Sequence, residues 1–337
     1  MKVLRFLLFP FAVLYDFVTR IRNFFFDVGI FKVTSFKIPV IIVGNLSVGG
    51  TGKTPQIEYL IRLLKNNFKT AVLSRGYKRE TEGFVLLNKN HSAADVGDEP
   101  LQYFKKFNDI SIAVDANRVE GITSLIKNKK PDVVLLDDAF QHRKVKGSFY
   151  ILLTKYADLF VDDFLLPTGN LRESRQGANR ADVILVTKCP YNLSKKNQDS
   201  IKLKLRKFNK EVFFTSISYA DKVLGSKEIS TLDLVNLDVL LITGIANPAP
   251  LINYLESLKV KFHHLKYADH HHFSSNEITA IKKKFDDMKL PKIILTTEKD
   301  YVRLQDHIND LYYLPIETSF LNNENKAFNL LINNHLK

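Results

Sequence analysis

VIIVGNLSVGGTGKTPQIEYLIRLL, residues 40–64, carries the strongest structural signal in the chain. An apolar segment at residues 40–43 leads into a glycine-rich turn, and a helical pattern follows from Lys53. A buried strand, a glycine-rich loop and a helix in this order form a phosphate-binding loop, for which the usual pattern is G-x-x-x-x-G-K-[ST]. Ser47 stands at the first glycine position, so the match is partial.

This loop predicts a site for a nucleoside triphosphate. The backbone N–H groups of the loop would surround phosphate oxygens, and glycines are needed because the backbone must approach the ligand closely. Lys53 would reach the β- and γ-phosphates, and the hydroxyl of Thr54 would bind Mg²⁺. The residues that we expect at the nucleotide are Ser47, Gly49, Gly50, Thr51, Gly52, Lys53 and Thr54. The alternative is an ordinary glycine-rich turn between a strand and a helix.

A pair of acidic residues follows a second apolar segment. In PDVVLLDDAFQHRKV, residues 131–145, the apolar run ends at Asp137 and Asp138. Carboxylates at the carboxyl end of a strand, facing a phosphate loop, hold the metal of a nucleotide site. We therefore expect both carboxylates to bind Mg²⁺, and the alternative is a solvated turn.

Apolar strand-like runs alternate with helix-like stretches along the rest of the chain. This alternation predicts a P-loop NTPase-like α/β fold, a parallel sheet with helices on both faces, followed by a second, smaller α/β domain. The runs lie at residues 40–43, 70–74, 110–114, 133–136, 150–154, 183–187 and 212–216, and then at 239–243, 262–267 and 292–297. We predict a first domain at residues 32–217 and a second at residues 218–337 that closes the active-site cleft. The last helix of the second domain is free to pack back on the first domain.

The composition is that of a globular protein. Hydrophobic residues make up 45% and charged residues 25% of the 337 residues, which excludes disordered, collagen-like and coiled-coil chains. The single cysteine, Cys189, excludes an internal disulfide framework and a cysteine-built metal site. The formal charge of +13 suits nucleic acid, an anionic membrane or a phosphorylated small molecule, and no zinc-finger, RNP or basic-zipper pattern supports nucleic acid.

The amino terminus, residues 1–31, predicts an amphipathic helix with a wide apolar face. Its unbroken apolar run covers only residues 6–15, which is shorter than the roughly 20 residues that span a bilayer. Polar residues recur on one stripe of a 3.6-residue period, at Lys2, Arg5, Asp16, Arg20, Asn23 and Asp27. The sequence after the run has no small-residue cleavage site, and its basic residues suit anionic headgroups. We predict a helix at a membrane surface; burial against the core and a spanning helix are the alternatives.

The nucleotide is predicted to be ATP. A GTPase would carry D-x-x-G after the second strand, but Phe140 stands at the fourth position from Asp137. The nearest approach to the guanine-binding pattern N-K-x-D is TKCP at residues 187–190, which has proline where the aspartate should be. The transporter signature LSGGQ does not occur in the sequence. A small-molecule kinase that uses ATP is the simpler interpretation.

Eight short motifs occur in order along nearly the whole chain. They are VGNLSVGGTGKTP (43–55), SRGY (74–77), VGDEP (96–100), DDAFQHR (137–143), LLPTGNLRES (165–174), TGIANP (243–248), ADHHHF (268–273) and TEKD (297–300). In content and spacing they resemble the tetraacyldisaccharide 4'-kinases of lipid A synthesis, which also have serine in place of the first loop glycine.

The resemblance implies an activity and a location. The reaction would transfer the γ-phosphate of ATP, with Mg²⁺, to the 4'-hydroxyl of a tetraacylated glucosamine disaccharide 1-phosphate and so form the 1,4'-bisphosphate. The protein would work at the cytoplasmic face of the inner membrane as a peripheral or monotopic enzyme. Its partners would be the lipid disaccharide and the anionic membrane surface, without nucleic acid or an obligate protein partner.

Phosphoryl transfer to a sugar also needs a base for the hydroxyl proton, since the hydroxyl is a poor nucleophile. We expect Asp98 to be this base, assisted by His270, with Lys53 as the catalytic cation. The alternative for Asp98 is a helix N-cap before Pro100. For His270 the alternatives are polar surface or a metal site, although adjacent histidines on extended backbone point to opposite faces and cannot easily bind one ion.

Further residues are expected to contact phosphate or lipid. Guanidinium groups match phosphate oxygens in bidentate geometry, and Pro/Gly loops often shape binding sites. We predict substrate contacts for Arg75, Arg118, Arg172 and Glu173, and nucleotide contacts for Gln141 and His142. For each, a structural loop contact or a surface ion pair is the alternative.

Two other functions remain open from the residues alone. A P-loop ATPase or GTPase at the membrane surface could drive a protein partner, and a membrane-bound protein could bind anions without catalysis. The missing switch and base-reading motifs count against the first function, and the acidic pair counts against the second.

Overall fold

The chain forms two β-sheets covered by helices in the computed structural model, which describes residues 5–337. The α-helices are α1 (Phe9–Asp27), α2 (Lys53–Leu64), α3 (Ala93–Val96), α4 (Asp98–Lys106), α5 (Arg118–Lys129), α6 (Lys195–Leu205), α7 (Ala249–Ser257), α8 (Ser275–Asp286), α9 (Glu298–Leu304) and α10 (Asn325–Leu336). The strands are β1 (Val40–Asn45), β2 (Thr70–Ser74), β3 (Val85–Leu86), β4 (Ser111–Val114), β5 (Val133–Asp137), β6 (Phe149–Lys155), β7 (Val183–Thr187), β8 (Glu211–Tyr219), β9 (Lys222–Leu224), β10 (Glu228–Ser230), β11 (Asp238–Thr243), β12 (Phe262–Lys266), β13 (Lys292–Thr297), β14 (Leu311–Leu314) and β15 (Ile316–Phe320).

The first sheet consists of nine of the described strands, in the order β15-β8-β7-β6-β1-β5-β2-β4-β3. The strands from β8 to β4 run parallel, whereas the edge strands β15 and β3 are antiparallel to their neighbours. Every residue of β1, β2, β5 and β7 is buried, as expected for strands that helices cover on both faces. β1, which leads into the phosphate loop, lies between β6 and β5 at the centre.

The second sheet has six of the described strands, in the order β10-β9-β14-β13-β11-β12. The strands from β14 to β12 run parallel, and β9 and β10 extend the sheet in antiparallel pairing. Successive residues of β11 belong to different apolar clusters: Leu241 packs with Leu255, whereas Leu240 packs with Ile281. This alternation shows that the second sheet also has a buried core on each face.

The end of the chain returns to the first sheet. β15 pairs antiparallel with β8, from Ile316 opposite Tyr219 to Phe320 opposite Thr215. On α10, Phe328 is fully buried in an apolar cluster of the first sheet. The last helix therefore packs back on the first sheet, while the domain limits at residues 31 and 217 remain predictions.

Helix α1 turns its apolar side chains away from the protein. Its buried residues are Ala12 and Thr19, whereas Phe11, Leu14 and Phe17 are 62%, 61% and 61% exposed. This orientation is the reverse of the usual one, in which the apolar face of a helix covers the core. No described helix is both long and apolar enough to cross a membrane.

Polar groups of α1 contact the loops of the first sheet instead. The Tyr15 hydroxyl donates to the Arg172 carbonyl at 2.8 Å, and the Asn23 amide donates to Glu173 at 3.1 Å. Lys2, which belongs to the predicted stripe, lies outside the described residues. The helix is thus attached through its polar side chains to the loop that contains Arg172.

The predicted fold class is confirmed. Every predicted strand run falls on a strand of the structure, those up to residue 216 in the first sheet and those at residues 239–297 in the second. The sequence pattern missed β3, β9, β10, β14 and β15. These strands have only two to five residues, and such short runs carry too little periodicity to be recognised.

Candidate active site

The phosphate loop connects β1 to α2. Gly49 and Gly52 have φ values of +94° and +87°, in the left-handed region that favours glycine. The carbonyl of Thr51 accepts a hydrogen bond from the Thr187 hydroxyl at 2.7 Å, which ties the loop to the end of β7. Because α2 begins at Lys53, its first N–H groups have no partners within the helix and face the loop. The loop therefore offers N–H donors at a helix N-terminus, an arrangement that suits an anion.

Ser47, the departure from the usual loop pattern, has a structural explanation. Ser47 and Leu171 pair as an isolated antiparallel bridge. Next to it, the Val48 N–H donates to the Asn170 carbonyl at 2.8 Å. Ser47 is not among the described residues with positive φ, so a glycine is not required there. Its contact with a nucleotide stays a prediction.

Lys53, Asp138 and Arg172 form a cluster of charges beside the loop. The Lys53 ammonium lies 3.6 Å from Oδ1 of Asp138, and the Arg172 guanidinium lies 2.9 Å from the same oxygen. Arg172 also donates to the Asn45 carbonyl at 3.0 Å. Burial raises the pKa of Asp138, but the charges of Lys53 and Arg172 outweigh burial and hold the pKa below its usual value. Asp138 is therefore ionised at neutral pH.

Asp137 ends β5 and is completely buried. Its Oδ2 accepts hydrogen bonds from the hydroxyls of Ser74 and Tyr103, each at 3.3 Å. Its Oδ1 is buried and has no hydrogen-bond partner among the described residues. Burial, followed by the charges of Glu99 and Asp138, raises the pKa of Asp137 to about 7. A buried carboxylate with an unpaired oxygen, beside a second carboxylate, is suited to a cation.

Asp98 and Glu99 begin α4, and each contacts a different part of the site. Glu99 accepts a hydrogen bond from the Thr54 hydroxyl at 3.1 Å. Asp98 faces Nδ1 of His270 at 2.9 Å. Arg303 donates from Nε to Oδ1 of Asp98 at 2.7 Å and from its terminal nitrogen to Oδ2. Two adjacent residues thus connect the phosphate loop to the second sheet.

The carboxylate of Asp98 is ionised and does not cap a helix. The N-cap of α4 is Gly97, and no side chain caps it, so the N-cap alternative does not apply to Asp98. Burial raises the pKa of Asp98, but the bonds from His270 and Arg303 outweigh burial and hold the pKa below its usual value. Asp98 is therefore available as a proton acceptor at neutral pH.

His270 is held through both ring nitrogens. Nε2 lies 2.9 Å from the Lys299 ammonium, which can only donate, so the ring proton is assigned to Nδ1 and to the 2.9 Å bond with Asp98. The Arg303 guanidinium lies 3.1 Å from Nδ1 and can also only donate, so its proton is assigned to Asp98 and not to the ring. The backbone φ of His270 is 60°, which is uncommon for a residue other than glycine. Its N–H donates to the Gly244 carbonyl at 3.1 Å and fixes this conformation. Such local strain is typical of functional sites.

Gln141 and Glu173 belong to a network of hydrogen bonds under the loop. Glu173 is buried and pairs with Arg180 at 2.8 Å. Gln141 donates to Glu173 at 3.0 Å and to the Asn45 carbonyl at 2.8 Å. His142 is half-buried, and burial lowers its pKa to about 4, so its ring is neutral. The contacts of Gln141, His142 and Glu173 with nucleotide or substrate remain predictions.

Arg118 and Arg75 differ in exposure. Arg118 is 3% exposed and donates to the Asp115 carbonyl at 3.0 Å, while its Nε is buried without a partner among the described residues. Burial lowers the pKa of Arg118 to about 10, and the charge of Asp137 acts in the opposite direction. Arg118 is therefore charged at neutral pH and lies within the field of the acidic pair. Arg75 follows β2 directly and is exposed.

A cavity of about 420 Å³ opens beside the phosphate loop. Residues 50–54 and Lys188 line one side of it. Apolar side chains from the end of the first sheet and from the second sheet cover most of the remaining wall: Ile217, Tyr219, Ile245, Pro250, Leu251, Leu314 and Ile316. Polar side chains also line the cavity: Glu58, Glu99, Gln102, Asn247, Thr297, Glu298 and Lys299. A largely apolar cavity of a few hundred Å³ next to a phosphate loop has the size and character of a nucleoside pocket.

Residues at the site that were not assigned to it from the sequence include Asn45, Glu99, Lys188 and Arg303. Asn45 accepts a hydrogen bond from the Lys53 ammonium at 3.4 Å and also from Arg172. Arg303 lies four residues after Lys299, so the two share a face of α9. That spacing was visible in the sequence, but its meaning depends on the position of Asp98.

The chain is similar to known proteins along its full length. The family model described as tetraacyldisaccharide-1-P 4'-kinase matches residues 4–337. A tetraacyldisaccharide 4'-kinase of Flavobacterium johnsoniae is 55% identical over 342 residues, covering 100% of this chain and 98% of the relative. The enzyme of that name from Bacteroides thetaiotaomicron is 45% identical over 344 residues, covering 96% of this chain and 90% of the relative.

A solved structure has the same overall arrangement. It is the "apo" form of LpxK from Aquifex aeolicus in complex with ATP, and it matches this chain with a TM-score of 0.81 and 30% sequence identity. The match covers 99% of this chain and 100% of the Aquifex aeolicus chain. The two-sheet arrangement described above is therefore shared along the whole length.

Proposed function

We propose, since this chain belongs to the tetraacyldisaccharide 4'-kinase family, that it transfers the γ-phosphate of ATP to the 4'-hydroxyl of a tetraacyldisaccharide 1-phosphate in lipid A biosynthesis. The relatives that span the chain are named for this reaction, and the Aquifex aeolicus structure contains ATP. The product would carry phosphate at both the 1 and the 4' positions.

The observation that carries this proposal is the pair of contacts made by Asp98 and Glu99. Glu99 contacts Thr54 of the phosphate loop, and Asp98 contacts His270 of the second sheet. A phosphate loop alone suits any nucleotide-dependent protein, whereas a kinase also needs an ionised base next to the γ-phosphate. The adjacency of Asp98 and Glu99 supports the presence of the phosphate loop and an ionised base in one cleft.

Asp98 is the residue that we propose as the base. A carboxylate can accept about four hydrogen bonds, so the bonds from Arg303 and His270 leave a lone pair for the substrate hydroxyl. His270 donates from Nδ1 and orients the carboxylate, and Lys299 fixes the tautomer of His270 from the other side of the ring. We infer that Asp98 receives the hydroxyl proton and that His270, Lys299 and Arg303 position Asp98.

The oxygen groups beside the loop fit Mg²⁺. Among residues 5–337 no three His, Cys, Asp or Glu side chains form a metal cluster. A Mg²⁺ ion bound with nucleotide does not need one, because it takes one or two carboxylates together with phosphate oxygens and water. The unpaired buried oxygen of Asp137 suits this role. We infer that Thr54, Asp137 and Asp138 would hold Mg²⁺, which when bound neutralises charge on the β- and γ-phosphates.

The remaining groups divide between nucleotide and lipid in this proposal. The loop N–H groups and Lys53 bind the β- and γ-phosphates, and the adenosine occupies the 420 Å³ cavity. Arg118 and Arg172 supply fixed positive charge near the acidic pair. We assign Arg75, which is exposed at the rim, to the 1-phosphate or sugar of the lipid.

A membrane surface is the proposed location of catalysis. The apolar face of α1 is exposed, and its polar face is bound to the loop that contains Arg172. Inserting this apolar face into the headgroup region would remove it from water without requiring a spanning segment. The active-site loop would then lie close to the bilayer that contains the lipid substrate.

The function is tested by incubating the protein with labelled ATP and tetraacyldisaccharide 1-phosphate in detergent micelles. We expect labelled lipid, with phosphorus NMR locating the new phosphate at the 4' position. Lys195→Ala, at an exposed position of α6, is a control that should retain this activity. ATP hydrolysis without a lipid product would contradict the proposal and favour an ATPase that drives a protein partner.

A further inference from the structure

Lys188 follows β7, and its side chain lies against the phosphate loop. Its ammonium donates to the Gly50 carbonyl at 2.8 Å. A Cβ atom built on Gly50 would lie 3.9 Å from the same ammonium, so the group is close to the face of the loop where glycine permits ligand approach. Lys188 also lines the 420 Å³ cavity. A nucleotide that extends from the loop into this cavity would pass the ammonium.

The backbone of Lys188 has a strained conformation. Its φ is 56°, in the left-handed region that residues other than glycine rarely adopt. Both neighbours are anchored: Thr187 donates to the Thr51 carbonyl at 2.7 Å, and the Cys189 N–H donates to the Thr215 carbonyl at 2.9 Å. A conformation that is unfavourable yet fixed from both sides is a reason to look for a role for the side chain.

The Lys188 ammonium also lacks a counter-ion. Lys53 pairs with Asp138 at 3.6 Å and Lys155 pairs with Asp158 at 3.4 Å, whereas within residues 5–337 Lys188 forms no ion pair. Desolvation by the surrounding protein, followed by the like charges of Lys155 and Lys53, lowers the pKa of Lys188. An uncompensated cation near two others and a row of backbone N–H groups creates a strong field for a polyanion.

We propose that Lys188 is a nucleotide-binding residue whose ammonium contacts the α- and β-phosphates where they pass from the phosphate loop toward the cavity. Lys53 is held beside Asp138 at the metal end of the site, so it faces the β- and γ-phosphates. Lys188 lies beside Gly50, at the cavity end. This inference rests on the proposed ATP site. Since ATP and ADP share the α- and β-phosphates, Lys188 acts on both nucleotides.

The test is the affinity of the full chain for ATP and for ADP, measured by calorimetry. Lys188→Met keeps the apolar stem and removes the charge. We expect it to lower the affinity for both nucleotides by about tenfold, because one charge-assisted hydrogen bond is lost. Turnover at saturating ATP should fall less than nucleotide affinity does, because the γ-phosphate and the base are untouched. Lys188→Arg retains the charge and should restore most of the affinity.

Three results would overturn the inference while leaving the proposed ATP site intact. The first is equal affinity of wild type and Lys188→Met for ADP. The second is an affinity of Lys188→Arg for ADP that is as low as that of Lys188→Met. The third is a parallel loss of ADP affinity, turnover and melting temperature of the ligand-free protein, which would mean that Lys188 only supports the loop.

Two further measurements separate this inference from the proposed function. Wild-type protein that bound neither nucleotide would overturn the ATP site and the role of Lys188 together. Lys195→Met, at the exposed start of α6, removes a lysine charge away from the loop and should bind ADP as the wild type does. A loss of ADP affinity in this control equal to that of Lys188→Met would count against a specific contact.

Discussion

The guanidinium of Arg303 donates to both carboxylate oxygens of Asp98, with Nε 2.7 Å from Oδ1. Asp98 begins α4, which packs against β4 of the first sheet, whereas Arg303 lies on α9, which follows β13 of the second sheet. The same guanidinium donates to the His271 carbonyl at 2.8 Å. The orientation of the proposed base therefore depends on how the two sheets are placed relative to each other.

Removing the charge of Arg303 should slow phosphoryl transfer more than it weakens ATP binding. Arg303→Gln removes two charge-assisted bonds, so the Asp98 carboxylate is less well oriented, and we expect kcat to fall by about 10- to 100-fold with little change in KM for ATP. Arg303 also lowers the pKa of Asp98, so its loss raises that pKa. Because the base must be ionised, the acidic limb of the kcat/KM profile should move to higher pH.

The matched control for this variant is Arg206→Gln, at an exposed position after α6, which should behave as the wild type. Arg303→Lys keeps a positive charge but cannot form the bidentate contact with Asp98, so it should give an intermediate kcat. Wild-type kcat in Arg303→Gln, or an unshifted acidic limb, would contradict the positioning role of Arg303.

The exposed face of α1 should bind membranes. Replacing Phe11, Leu14 and Phe17 with serine removes three side chains that are each about three-fifths exposed in the structure. Each is expected to contribute about 1 to 3 kcal/mol on insertion into a bilayer, so co-sedimentation with anionic lipid vesicles should be largely lost. Phosphorylation of lipid in vesicles should fall in parallel, whereas ATP affinity should stay unchanged.

The control for the membrane variant uses exposed leucines elsewhere. Leu203 and Leu330 are 67% and 59% exposed on α6 and α10, so replacing both with serine tests whether any exposed apolar side chain has the same effect. These replacements should not change sedimentation. If the α1 variant sediments with vesicles as the wild type does, the proposed membrane contact is wrong.

Glu298 should make the stability of the protein depend on pH. It begins α9, and burial, followed by the charge of Glu58, raises its pKa to about 7 from the usual 4.5. A raised carboxylate pKa favours the protonated folded state, so its stabilising contribution is complete below about pH 4.5 and is lost as the pH rises to about 7. Glu298→Gln cannot ionise, so its melting temperature should exceed that of the wild type near pH 8.

The melting temperatures of Glu298→Gln and wild type should converge as the pH falls toward about 5, since both side chains are then largely neutral. Lys106 retains Glu58 as a partner at 2.6 Å in the variant, so no cation is left unpaired. Glu317→Gln, at a position 50% exposed, is the control and should show no comparable pH dependence. Parallel melting curves of Glu298→Gln and wild type from pH 5 to 8 would rule out this titration.

The parts of the site that the sequence predicted are those encoded in local pattern. Gly49 and Gly52 could be assigned to the phosphate loop because left-handed backbone favours glycine, and the helix after them begins at Lys53 as expected. Asp137 and Asp138 could be placed at the site because the end of an apolar run marks the carboxyl end of a strand. In each case the information lies within a few residues of the chain.

The contacts between the sheets could not be predicted in the same way. Arg303 and Asp98 are 205 positions apart, and no local period connects them. Helix α1 shows a second limit: periodicity predicted an apolar face at a membrane surface, but not which residues attach the helix to the protein. In the structure Tyr15 donates to the Arg172 carbonyl and Asn23 donates to the Glu173 carboxylate, so the loop at residues 172–173 supplies the acceptors. Packing partners of this kind depend on the complete fold.

The most direct test of the proposed mechanism separates nucleotide binding from phosphoryl transfer in Asp98→Asn and Lys53→Ala. We predict that Asp98→Asn binds ATP as the wild type does but transfers phosphate to the tetraacyldisaccharide 1-phosphate about 100- to 10,000-fold more slowly, the contribution expected of a general base. Lys53→Ala should lose both ATP affinity and transfer, because its ammonium faces the phosphates. Wild-type transfer by Asp98→Asn would contradict the assignment of the base.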